Sequence, residues 1–185
     1  CTPQTKANES DPQELFGVTG VSVDKAWERT TGRPDVVSAV PDSGIMWDDR
    51  GKMEDLNNKI YLNAGELPEP DWGVRDPAHP YDRNHDGQFD IRDYFPDWHN
   101  VTKCGLQGDS RVVNHDVNVN GIIDAEDLIF LFSTGQDKDH DGYVDNIAGW
   151  DFYNQDNDPF DSYHFGHGSN QAVTSGAEAN NGTGD

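Results

Sequence analysis

"DVVSAVPDSG", residues 35–44, is a β-branched run that ends in an acid, a hydroxyl and a glycine. Val36, Val37 and Val40 favour a pleated, buried surface, and the run has the length of a short buried strand. Pro41 marks its end, because proline is tolerated in sheets only at strand ends or edges. Upstream, "SVDKAWERTTGRP", residues 22–34, carries helix punctuation. Ser22 stands as N-cap and Asp24 in the first turn; Val23, Ala26 and Trp27 share one face, with Gly32 and Pro34 beyond the end. A helix leading into an aliphatic strand that ends in Asp-Ser-Gly predicts an α/β fold. The run would lie at the C-terminal edge of a parallel sheet, where open α/β sheets build their sites.

The rest of the chain has a different character. Of its 185 residues only 33% are hydrophobic, and 35 acids against 13 bases give a formal charge of −22. Nucleic acids and anionic membranes would be repelled, which excludes them as partners. Five Trp, six Tyr and eight Phe argue against disorder, so the acids point to bound cations. No apolar run has the roughly 18 residues of a membrane span. The layout reads as a tether at 1–13, a segment at 14–47 holding the first motif, an acidic insert at 48–150, and a closing segment at 151–185. Within the insert, "KIYLN" reads as a strand and "EDLIFLF", 126–132, as an apolar helix. Aromatic, strand-like content returns in "GWDFYNQDNDP".

Three stretches of the insert share one spacing. "DRNHDGQFDIRD" puts Asp82, Asn84, Asp86, Asp90 and Asp93 at loop positions 1, 3, 5, 9 and 12, with Gly87 at 6 and Phe89 at 8. "DVNVNGIIDAED" repeats it with Asp116, Asn118, Asn120, Asp124 and Asp127 around Gly121, with Ile123 at 8. Gln88 and Ile122 stand at position 7, which supplies a backbone carbonyl. This is the 12-residue calcium-loop pattern with Asp in place of Glu at position 12. Calcium takes six to eight oxygens, so alternating acids converge only if the chain turns sharply at the glycine. "DKDHDGYVDNIA" keeps Asp137, Asp139, Asp141, Tyr143 (at 7) and Asp145, but Ala148 stands at position 12. That loop needs a ligand from outside if it is to bind calcium; otherwise it is a tight acidic turn. The loops begin at 82, 116 and 137, too irregular for a solenoid.

"FGHGSNQ", residues 165–171, places His167 between two glycines at the mouth of a helix. Together with "DKAWERTTGRPDVVSAVPDSGI", "DHDGYVDNIAGWDFYNQDNDPFD" and "GHGSNQAVTSGAEANNGTG", it resembles the N-terminal portion of the subtilisin-like serine proteases. The blocks occur in that family's order, over roughly residues 11–46 and 137–184. The resemblance implies a partial subtilisin-like parallel-sheet frame with Asp42 and His167 as two members of an Asp-His-Ser triad. Asp42 would hold the imidazole in one tautomer, and His167 would take the serine proton and return it to the leaving amine. No serine here stands in the family's Gly-Thr-Ser frame, and Ser169 is too close in sequence to His167 to serve. The nucleophile would come from a serine-bearing C-terminal fragment or chain, acting on a protein or peptide substrate.

The expected function is therefore the N-terminal part of a secreted, calcium-stabilised endopeptidase. Two alternatives differ in class. One is a non-catalytic, calcium-binding extracellular filament protein that self-associates. The other is a dockerin-like module in which the 82–93 and 116–127 loops pair. Cys1 at the first position, followed by a polar stretch, suggests a lipid anchor at the cell surface, with a Cys1–Cys104 disulfide as its competitor.

Overall fold

A computed structural model describes residues 25–26, 28–30, 32–101 and 107–178 of the chain. Both cysteines and the tether lie outside the described residues, as do Ser22, Val23, Asp24 and Trp27 of the expected 22–34 helix. Among the described residues four helices organise the body: α1 (Arg50–Leu56), α2 (Ile91–Tyr94), α3 (Ala125–Phe132) and α4 (His167–Gly176). A 3₁₀ turn, Asn57–Lys59, extends α1. Long loops held by side-chain-to-backbone hydrogen bonds make up the rest.

The expected α/β class is overturned. Among the described residues there is no strand, only isolated bridges at Ile45–Phe160, Asp76–His79 and Asp151–Asp156, so no parallel-sheet frame exists there. The run at 35–40 is not buried either: Val36 is 65% and Val37 60% exposed. β-Branched residues favour a strand only when neighbouring strands give them a ladder and a packed face. The candidate neighbours are committed elsewhere. "KIYLN" leaves the 3₁₀ turn as single extended chain, with the Asn63 N–H bonded to the Ile147 carbonyl at 2.8 Å. Residues 151–156 fold back on themselves, Asp151 donating to the Asp156 carbonyl at 2.8 Å. The parallel bridge at Ile45 is what remains of the expected pairing: its N–H bonds Pro159 O at 2.8 Å, and its carbonyl accepts from Asp161 at 3.0 Å.

The expected 126–132 helix is present as α3. Helices this short are not stable alone, and two of them start on reciprocal caps. Asp90 caps α2 while Asp93 bonds back to the Asp90 N–H at 3.0 Å. Asp124 and Asp127 do the same for α3 at 2.9 Å. Each cap satisfies backbone donors that a helix start leaves open. The apolar faces then meet in one core: Met53 and Leu56 of α1, Ile91 and Tyr94 of α2, Leu128 and Ile129 of α3, with Trp47, Phe95, Ile122, Ile123 and Ile147 between them. Each such side chain contributes roughly 1.5–3 kcal/mol on burial. The Tyr94 and Phe132 rings lie 5.6 Å apart, which couples α2 to α3. Helix α4 joins the body through buried Val173 and through a bond from Glu178 N–H to the Asp55 carbonyl at 2.9 Å.

Candidate functional site

Asp42 and His167, 125 residues apart in sequence, meet at one end of α4. His167 Nδ1 lies 2.7 Å from Asp42 Oδ1 and 2.8 Å from Oδ2. Gly166, with φ +73°, is the N-cap that turns the chain so that His167 opens α4. The turn after Asp42 is tied to the same helix: Ser43 Oγ accepts the Gly168 N–H at 3.0 Å, and Ser169 Oγ accepts the Met46 N–H at 2.8 Å. Ser169 is fully buried, so its hydroxyl is structural. The His167 hydrogen bond holds the Asp42 carboxyl below its ordinary pKa, with help from the Ser43 N–H. Because Nδ1 faces the carboxylate, Nε2 is the free ring nitrogen. The pair borders an open depression walled by Ala39, Val40, Pro41, Gln171 and Ser175.

Asp161, the last residue of the 139–161 block and given no role there, locks this arrangement. Its carboxylate is buried and accepts the Ser43 hydroxyl at 3.0 Å, the Gly166 N–H at 2.6 Å and the Phe165 N–H at 3.2 Å. Burial works to raise its pKa, but the donors from Gly166, Phe165 and Ser43 outweigh burial and leave it below the ordinary value.

The three acidic loops adopt one conformation through their first seven positions. The position 1 carboxylate accepts the N–H groups of positions 5 and 6: Asp82 at 3.2 and 2.9 Å, Asp116 at 3.1 and 2.9 Å, Asp137 at 3.2 and 3.0 Å. Asn84, Asn118 and Asp139 at position 3 accept from position 5 at 2.9, 3.1 and 3.1 Å. Asp86, Asn120 and Asp141 at position 5 accept from Gln88, Ile122 and Tyr143 at 2.9 Å each. Position 4 is left-handed in all three, at His85, Val119 and His140, and so is the glycine at position 6. These turns fold the side chains at 1, 3 and 5 inward.

The loops differ from position 9 onward. Asp90 and Asp124 are extended and start helices, which carries Asp93 and Asp127 back over their own loops. Asp93 Oδ1 accepts the N–H of Arg83 at 2.7 Å and of Asn84 at 3.2 Å; Asp127 Oδ1 accepts those of Val117 at 2.6 Å and Asn118 at 3.5 Å. Burial pushes the pKa of Asp93 and Asp127 up to about 6 and that of Asp124 up to about 8. In the first loop Arg92 pairs with Asp86 at 2.8 Å and also with Asp90. In the second, the Asn120 amide donates to Trp47 O at 2.9 Å and to Asp124 at 2.7 Å, and the Asn118 amide to Glu126 at 2.6 Å. In the third, Asp145 is left-handed (φ +52°) and turns its carboxylate away. It accepts Thr134 N–H at 2.8 Å, Gly135 N–H at 2.5 Å and Lys138 Nζ at 3.2 Å.

A metal ion could be held by Glu66, Asp137 and Asp139, which bring one carboxylate oxygen each within 4.8 Å of one another. Glu66 is fully buried. It was missed in the sequence, where only the missing ligand at position 12 hinted that another acid was needed. No helix among the described residues is long and apolar enough to cross a membrane. No protein-family model, curated protein or solved structure matches the chain.

Proposed function

We propose that the chain supplies the acid–histidine half of a serine endopeptidase centre, carried on a body that binds calcium through its acidic loops. The observation that carries this reading is the Asp42–His167 pair, with both carboxylate oxygens on Nδ1 and both residues lining an open depression. A serine from another segment would have its Oγ proton taken by Nε2 as the oxygen attacks the scissile carbonyl. The imidazolium, held by Asp42, would then protonate the leaving amine, and water would release the acyl group by the same relay. Exposed Val36, Val37 and Val40 beside Asp42, and exposed Phe165 stacked on His167, offer apolar surface that such a segment would cover.

The calcium component rests on hard oxygen donors arranged by turns that already exist in the fold, which suits calcium better than softer metals. A second reading, a calcium-held body without catalysis, draws on the half-exposed state of His167, whose side chain is 51% accessible. One experiment separates the two. Native material is treated with a fluorophosphonate probe, and every co-purifying polypeptide is sequenced. Labelling of a serine in a segment held against this chain, lost in His167→Ala, supports the protease reading. Absence of any labelled serine overturns it.

A further inference from the structure

We propose that Glu66 closes the 137–148 loop into a third calcium site, supplying from outside the loop the ligand that Asp93 and Asp127 supply within theirs. This rests on the calcium reading of the loops and is independent of the protease reading.

The first argument is a match of hydrogen bonds. In the first two loops one oxygen of the position 12 carboxylate accepts the N–H groups of positions 2 and 3. In the third loop those positions are Lys138 and Asp139, and their N–H groups go to Glu66 Oε1 at 2.8 and 3.3 Å. A carboxylate from a distant segment therefore sits on the loop as the internal one does elsewhere. The reason lies at position 9. Where Asp90 and Asp124 begin a helix, position 12 returns over the loop; after Asp145 no helix forms, and Ala148 offers no oxygen. Glutamate is one methylene longer than aspartate, which suits a ligand reaching in from another segment.

The second argument is the other oxygen. Glu66 Oε2 is buried and accepts no hydrogen bond, a costly state for a carboxylate oxygen. Lys138 Nζ lies 3.6 Å away, beyond hydrogen-bond reach, and donates instead to the Glu66 carbonyl at 2.6 Å and to Asp145 at 3.2 Å. Oε2 thus keeps only a loose ion pair with Lys138, and its carboxylate belongs to the cluster that Glu66 forms with Asp137 and Asp139.

The approach of this segment is built in. A Cβ on Gly65 would come within 2.6 Å of the Asp139 carboxylate, so glycine lets the chain pass that close. Asn63 then clamps it, donating to Asp139 at 2.8 Å and to Asn146 at 3.1 Å, while its own N–H reaches Ile147 O at 2.8 Å. A cation bound by Asp137, Asp139, Asp141 and Glu66 would tie residues 63–67 to residues 137–147.

The test is the number of calcium ions bound by chelator-stripped full chain, counted by calorimetric titration. The wild type is expected to bind three and Glu66→Gln two. Glutamine keeps an oxygen for the Lys138 and Asp139 N–H groups, so the loop itself should persist. Asp137→Asn, at the position that carries Asp in all three loops, is a second variant should Glu66→Gln fail to fold, and is also expected to bind two. A wild type that binds two, or either variant binding three, overturns the third site alone. A wild type that binds none overturns the calcium reading with it.

Discussion

Gly168 lies against the backbone of Gly44: a Cβ on it would press onto the Gly44 carbonyl oxygen, 3.0 Å from the Gly44 nitrogen and 3.3 Å from the Asp42 Cβ. Alanine in place of a helical glycine ordinarily stabilises by about 1 kcal/mol. Here the obstacles are main-chain atoms that cannot swing aside, so the sign reverses. Gly168→Ala is predicted to lower the melting temperature and to separate His167 from Asp42. Thermal denaturation, with the His167 ring followed by NMR, checks both effects; a stabilised variant would show that the helix and the turn are not packed as described.

Asp42→Asn should leave the fold intact, since the amide can still accept the Ser43 N–H. In an assembly with the proposed serine-bearing segment, the loss of charge and of tautomer control should slow serine acylation on the order of 10⁴-fold. Stopped-flow acylation by an active-site ester reads this directly. A rate unchanged within threefold would deny Asp42 its role.

Val119 is β-branched, 81% exposed and held at φ +61°. A left-handed conformation costs an ordinary L-residue roughly 1–2 kcal/mol and asparagine less. Val119→Asn therefore gives up little packing and should raise stability by about 1 kcal/mol, read from urea midpoints at fixed calcium.

Burial raises the pKa of Asp124 to about 8, of Glu126 to about 7, and of Asp93 and Asp127 to about 6. For acids, raised folded-state values mean that folding takes up protons. Stability then grows as pH falls through those values toward the unfolded carboxylate range near ~4. In excess chelator the protein should melt higher at pH 5.5 than at pH 8. Calcium should reverse that order, because it favours the ionised carboxylates and adds about 4 kcal/mol per site at a thousandfold excess over its dissociation constant. Melting curves at both pH values, with and without calcium, test the sign. A chelator that leaves the melting temperature unchanged at pH 8 would count against calcium.

What the sequence disclosed was local. The spacing of Asp82, Asp116 and Asp137 to their glycines specifies the turns, because each carboxylate bonds N–H groups only four or five residues ahead. The apolar period of 126–132 specifies α3 for the same reason. The Asp42 and His167 motifs, read as one site across 125 residues, are brought together. The 35–40 run shows the opposite limit, since a strand is a relation between segments and valines alone cannot provide the neighbour. Glu66 was invisible for a related reason: it is one acid among 35, marked only by the distant backbone donors it satisfies. Asp161 stands at the end of the quoted 139–161 block, but its role shows only in the Gly166, Phe165 and Ser43 donors it gathers.

The parallel bridge between Ile45 and Phe160 makes a doorway through which the chain leaves for its acidic body and returns. Asp42 and His167 stand outside it on opposite jambs, latched by Ser43, Asp161 and Ser169. A single cut anywhere between residues 46 and 159 would therefore sever the chain without parting the two residues: the nicked molecule should travel as one piece until its hydrogen-bonded latch is denatured.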